Sequence, residues 1–268
     1  MTIIQAAIFG LVQGLAEFLP ISSSGHLSLL RVIMGMENDI PVTFDIIMHA
    51  GALLAVLFVY RKRIWNMICH PLRSEFPLLV LATLPCVVAV LIAKFGFDID
   101  LDEYFNYQYL GFFFLITTLI LWLADLLNGI SVETKEVKWY NALAMGLMQI
   151  LGLLSGISRS GSCIAGGVST GLSRKRAADF AFLMAIPAIA GALVFKLPDA
   201  ISVDVAGTVG AAQLAVGLVC STAASFLGIQ FLLKIIRRVR VTWFGLYTGL
   251  LGAAVLLDQY VFHIFFKL

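Results

Sequence analysis

Apolar residues in this chain come in long unbroken runs rather than in the alternation of a half-buried strand or the single stripe of a surface helix. Six runs, at 44 to 60, 76 to 94, 108 to 127, 180 to 196, 212 to 230 and 244 to 263, are each long enough to cross or nearly cross a hydrocarbon core as a helix. Two further regions, 1 to 36 and 140 to 173, are apolar but interrupted. Pro20 and Ser22 to Gly25 break the first, and Gly156 and Ser158 to Gly161 break the second. The pattern predicts an all-α polytopic membrane protein of six transmembrane helices plus two helical hairpins.

The two interrupted regions are related. GLVQGLAEFLPISSSG (10 to 25) and GLMQILGLLSGISRSG (146 to 161) share 8 identities in 16 positions without a gap, at an offset of 136. The same offset carries the first three apolar runs onto the last three, so residues 1–268 form one membrane domain of two repeats, about 1–136 and 137–268.

Charge supplies the orientation. Basic residues of short loops collect on the cytoplasmic side. Arg61, Lys62, Arg63 and Arg73 follow the first run; Arg174, Lys175 and Arg176 precede the fourth; Lys234, Arg237, Arg238 and Arg240 separate the fifth from the sixth. The loops with Glu37 and Asp39, with Asp98, Asp100, Asp102 and Glu103, and with Asp199 and Asp204 then belong outside. Six crossings close consistently only if each interrupted region enters and leaves on one side. Both become re-entrant hairpins, the first from outside and the second from the cytoplasm, in an inverted-topology repeat. Non-helical backbone at membrane depth needs a polar, protein-lined cavity, and helix N-termini there offer N–H groups to an anion.

Composition agrees, with 60% of 268 residues hydrophobic and 13% charged. A net charge of +2 gives no argument for nucleic acid. Cys69, Cys86, Cys163 and Cys220 are too scattered to suggest a disulfide framework or a zinc site. The start, MTIIQAAIFGLVQG, lacks a positively charged signal and a cleavage site, and is expected to be retained.

The candidate chemistry sits in the two breaks. Gln13 and Glu17, four apart, share a helix face with Gly10 and Gly14. An intramembrane carboxylate is costly and usually functional. Glu17 reads as a base, a metal ligand or the orienter of a histidine, against the blander reading of an interfacial helix-end carboxylate. Ser22, Ser23, Ser24, Gly25 and His26 form a hydroxyl-rich turn ending in an imidazole, suited to phosphoryl transfer. Serines also simply cap helices, which weighs equally for Ser22 and Ser24. Arg159, in Ser158-Arg159-Ser160-Gly161, stands at the repeat position of Ser23. Its guanidinium can grip two phosphate oxygens or serve as the counter-ion of Glu17. Asp45 and His49 read no better as ligands than as a helix-end polar pair.

Gln13-Gly14-Leu15-Ala16-Glu17, Pro20-Ile21-Ser22-Ser23-Ser24-Gly25-His26 and Ser155-Gly156-Ile157-Ser158-Arg159-Ser160-Gly161 resemble the signatures of the undecaprenyl-diphosphate phosphatase family, the bacitracin-resistance proteins. The resemblance spans nearly the whole chain. Two positions depart from the pattern: Gln13 takes the less acidic option of its motif, and Ser155 replaces a Pro. The resemblance implies hydrolysis of a polyprenyl diphosphate to the monophosphate carrier and inorganic phosphate, in a bacterial plasma membrane, and the topology read from charge puts the entry to the site on the outer face. It further implies that Glu17, Ser23, His26 and Arg159 are catalytic, with Glu17 orienting His26. Gln13, Ser22, Ser24, Gly25, Ser158, Ser160 and Gly161 would hold substrate. Ser23, His26 and water all stand as nucleophiles. A divalent cation (Ca or Mg) is allowed by the family analogy, with Glu17 its one candidate ligand, and no organic cofactor is expected. The small-residue run Gly245, Gly249 and Gly252 permits packing within the chain or in a homodimer.

Two other readings compete with this one. The phosphatidic-acid-phosphatase type also uses a Ser-Gly-His turn, but the chain has no Arg-Pro dipeptide, and Ala165 stands where that pattern wants His. A polyprenyl-phosphate transporter or flippase would share the architecture, but needs no aligned nucleophile and base.

Overall fold

The structure is a computed structural model that describes residues 1–37, 40–97, 107–128, 134, 136–202 and 209–266. The acidic markers Asp39, Asp98, Asp100, Asp102, Glu103 and Asp204 lie outside the described residues, as does the side chain of Asp199. Ten α-helices carry the described fold: α1 (Ile3–Phe18), α2 (Ser23–Ile33), α3 (Val42–Cys69), α4 (Phe76–Leu91), α5 (Leu110–Asn128), α6 (Trp139–Leu151), α7 (Arg159–Ser169), α8 (Arg174–Ser202), α9 (Ala211–Ile235) and α10 (Thr242–Leu257). Among the described residues six segments are long and apolar enough to cross a membrane: Val42–Cys69, Phe76–Gly96, Tyr107–Leu127, Arg174–Lys196, Ala211–Ile235 and Thr242–Phe262. These are the six runs expected from the sequence. The two interrupted regions fold as the pairs α1–α2 and α6–α7.

Local chemistry accounts for the helix starts. Thr2 caps α1 reciprocally, its Oγ1 accepting from Gln5 N and its own N–H donating to the Gln5 side chain. Ser22 and Ser158 cap α2 and α7 in the same way as each other, each Oγ accepting from the N–H three residues on, Gly25 at 3.2 Å and Gly161 at 3.1 Å.

The two halves are interlocked. Helix α1 lies along α9, where a Cβ on Gly10 would come 2.6 Å from the carbonyl oxygen of Gly217, and one on Gly14 would collide with that of Ser221. Its repeat counterpart α6 lies along α4, where a Cβ on Gly146 would collide with the Ala82 carbonyl. Each hairpin helix thus packs on the second span of the opposite half. The first spans α3 and α8 meet through Tyr60 and Arg63 near the end of one and Asp179 near the start of the other. The third spans α5 and α10 also meet end to start, where Asp125 accepts from Thr242 N and Oγ1 at 2.9 and 2.7 Å. The run Gly245, Gly249 and Gly252 faces Thr118, Leu121, Gly111 and Phe114 of α5, so it is used inside the chain. It therefore no longer argues for a second copy.

One end of the bundle is basic. Arg63 and Arg176 both bind Glu75 and Asp179, and Arg174 binds Asp125 at 2.8 Å. Trp65, Trp122 and Trp243, each more than 60% exposed, ring the same end, as interfacial tryptophans do. Between the ends, Leu54, Phe58, Leu84, Leu119, Leu123 and Leu227 point outward from the spans, a surface suited to lipid and not to water.

Candidate active site

The two turns abut at the centre of the fold. A Cβ on Gly25 would come 3.0 Å from the Cα of Gly156, and Ser160 Oγ donates to the Leu19 carbonyl at 2.9 Å. Thr117 of α5 buckles the second turn, donating to Gly156 O at 3.1 Å and accepting from Ser158 N at 3.0 Å. Two residues hold positive φ here. Gly156 does so freely at 108°, but Ser22 at 71° is strained, a state that persists only when its surroundings over-determine it. They do: besides its Oγ cap, the Ser22 carbonyl accepts from His26 N at 3.2 Å and Nδ1 at 2.7 Å.

Glu17, at the last turn of α1, is the point where the halves converge. Arg159 Nη2 donates to its Oε1 at 2.8 Å. Its Oε2 accepts from Ser23 Oγ at 2.6 Å and Gln13 Nε2 at 2.9 Å, and His49 Nε2 stands 3.9 Å away. Ser23 and Arg159 are repeat equivalents at the first position of α2 and α7, and each takes one oxygen of the same carboxylate. The Glu17 side chain is only 5% exposed and Arg159 18%, so the charge pair sits in a weakly screened environment. Beside it, α2 and α7 begin with N–H groups that have no partner within their helices, an anion-binding arrangement.

His26 stands differently from expectation. Its Nδ1 faces the Ser22 carbonyl, which makes Nδ1 the protonated nitrogen and leaves the Nε2 lone pair to accept from Tyr247 Oη at 2.8 Å. Tyr247 also stacks on the imidazole at 5.6 Å, and Phe114 meets it edge-on at 5.5 Å. Both ring nitrogens are engaged elsewhere, so Glu17 does not orient His26. The carboxylate is drawn instead to the guanidinium and the Ser23 hydroxyl, the stronger donors within reach.

The remaining sequence candidates divide. Ser22 and Ser158 spend their oxygens on capping, with Ser24 at 3.4 Å from the one and Ser160 at 3.3 Å from the other. Gln13 is fully buried, and its Oε1 has no hydrogen-bond partner among the described residues. The Asp45 carboxylate binds Arg31 at 2.5 Å, while His49 keeps its Nδ1 on the Asp45 backbone carbonyl at 2.8 Å and points its Nε2 toward Glu17. Sequence reasoning missed Tyr247, Thr117 and the approach of His49; only the Asp45/His49 spacing gave any signal for one of them.

The donor set does not make a cage for Ca or Mg. Among the described residues no three His, Cys, Asp or Glu side chains gather to hold a metal, and both Glu17 oxygens already accept hydrogen bonds.

Fold and site define a polytopic helical membrane protein whose two repeats build one hydroxyl, carboxylate and guanidinium centre. The chain belongs to the family of the Bacitracin resistance protein BacA, whose model matches residues 6–254. It is similar to the undecaprenyl-diphosphatase of Carboxydothermus hydrogenoformans, 38% identical over 97% of this chain and 98% of that protein. It is similar also to those of Alkaliphilus metalliredigens, at 33% over 96% and 98%, and Treponema denticola, at 34% over 94% and 96%.

Proposed function

We propose that this protein hydrolyses undecaprenyl (polyprenyl) diphosphate to the monophosphate and inorganic phosphate, recycling the lipid carrier for peptidoglycan and conferring bacitracin resistance. The observation that carries the chemistry is the convergence of Ser23 Oγ and Arg159 Nη2 on Glu17. A hydroxyl already donating to a carboxylate at 2.6 Å is a nucleophile paired with its base. Transport of a lipid phosphate would need the guanidinium but not that pair.

The terminal phosphoryl group binds at the abutting N-termini of α2 and α7, where Arg159 turns from Glu17 toward its oxygens. Ser23 Oγ attacks the terminal phosphorus and its proton passes to Glu17. The bond from that phosphorus to the bridging oxygen breaks, and polyprenyl monophosphate leaves with the bond's electron pair. Glu17 gives that proton to the departing oxygen; water then attacks the phosphoserine, its proton passing to the reformed carboxylate and on to Ser23 Oγ as the phosphorus–Oγ bond breaks and inorganic phosphate leaves. Arg159 neutralises the charge that develops on the equatorial oxygens. His26 braces the turn that carries Ser23, its Nδ1–H on the Ser22 carbonyl and its Nε2 lone pair on Tyr247.

The topology read from charge places α1–α2 and α6–α7 as re-entrant hairpins of an inverted repeat. Its support is the end-to-start meeting of equivalent spans, α3 with α8 and α5 with α10. With the basic end cytoplasmic, the site opens outward: His49 precedes Arg63 on α3 by 14 positions, about 21 Å of helix. The test is phosphate release by the purified protein from a polyprenyl diphosphate, comparing wild type with Glu17→Gln and Ser23→Ala. Turnover that collapses in both supports the reading, and folded wild type that releases no phosphate rejects it.

A further inference from the structure

The basic end of the bundle holds more positive charge than its ion pairs consume. A cleft of about 530 Å³ opens there between the start of α8 and the end of α9, and a second of about 400 Å³ lies against the end of α9 alone; they share Arg237. In the larger one Arg174 and Arg176 are compensated by Asp125, Glu75 and Asp179, and Asp179 itself lies on the cleft wall. Lys175 and Arg237 are not compensated. In the smaller one stand Lys234 and Arg238. Among the described residues, none of these four cations has an acidic partner.

The second observation is the surface that leads to the clefts. Leu227, Phe231, Lys234 and Arg238 follow one another at helical spacing along one face of α9 and its continuation. Leu227 is 60% and Phe231 53% exposed, on a helix that spans the membrane. An apolar track in the acyl region thus ends in paired cations at headgroup depth. That is the shape and charge of an anionic phospholipid, and basic pockets between spans on the cytoplasmic side bind such headgroups.

We propose that these clefts form a binding site for one anionic membrane phospholipid, separate from the Glu17 centre. Its phosphate is held by Lys175, Lys234, Arg237 and Arg238, and an acyl chain lies on Leu227 and Phe231. The site depends on the membrane fold and not on the phosphatase reading, so it is tested by lipid retention rather than turnover.

The experiment is native mass spectrometry of the full chain with phosphatidylglycerol or phosphatidylcholine of identical acyl chains. The expected result is one tightly retained phosphatidylglycerol, preferred by at least about tenfold, as two or three surface cations would give. The preference should vanish in Lys175→Gln/Arg237→Gln/Arg238→Gln and persist in Arg240→Gln, which lines neither cleft. Wild type supplies a readout free of folding effects, since retention should weaken as added salt screens the cations. Equal retention of both lipids, an undiminished preference in the triple variant, or displacement by equimolar inorganic phosphate would each overturn the proposal.

Discussion

Arg159 donates to Glu17 at 2.8 Å across 142 positions of sequence, joining the two repeats through one charge pair. Both residues sit in the broken helices of their halves, so the pair closes only when both turns are formed. Removing one partner from a buried pair leaves a lone charge and costs about 3–5 kcal/mol. We expect Arg159→Met to lower the thermal midpoint sharply in detergent and to abolish phosphate release. Glu17→Gln/Arg159→Met should regain much of the stability while staying inactive. A double variant no more stable than the single one would show that the pair does not bear on folding.

Ser23 donates to Glu17 Oε2 at 2.6 Å. Ser23→Ala should lower kcat by about 10²–10⁴-fold, the range for a group acting with its proton acceptor, with KM little changed. Acid quenching of wild type with substrate labelled in the terminal phosphate should leave label on Ser23. Label found only in free phosphate at every quench time would move the attack to water.

Tyr247 both stacks on His26 and donates to its Nε2. Tyr247→Phe keeps the ring and removes about 1 kcal/mol of hydrogen bonding, so kcat should fall about fivefold. Tyr247→Leu, which also frees the imidazole to rotate, should fall further. Equal rates in the two variants would mean that stacking contributes nothing.

Gly14 and Gly146 set the closest approaches of the hairpins to their partner spans. Gly14→Ala and Gly146→Ala should each destabilise by about 1–3 kcal/mol or more, because backbone and not a movable side chain stands where the methyl would go. Gly191→Ala on α8 has nothing within 4 Å of its Cβ and should instead gain up to about 1 kcal/mol. Unfolding midpoints in a single detergent measure all three.

Much of the architecture was legible because its causes are local. Uninterrupted apolar runs define the six spans, and Pro20, Gly156 and the serine turns mark the breaks. The repeat offset puts Ser23 and Arg159 at equivalent positions, and their meeting on Glu17 follows from the packing of the halves. With two spans, α4 and α5, between them, α3 and α8 are expected to run in opposite directions, in keeping with their end-to-start contact.

The sequence by itself determined which residues are polar within an apolar chain, and where its helices start, stop and recur. Only the tertiary structure decided what those polar groups touch. His26 was expected to face Glu17, nine residues earlier, but its Nε2 meets Tyr247, 221 residues later. The Asp45 carboxylate goes to Arg31 and His49 Nε2 points toward Glu17, although His49 Nδ1 still meets the Asp45 backbone carbonyl. The physical reason is that a buried polar group binds whichever donor or acceptor the packed helices bring within about 3 Å, and sequence spacing fixes that neighbour only within a single helix.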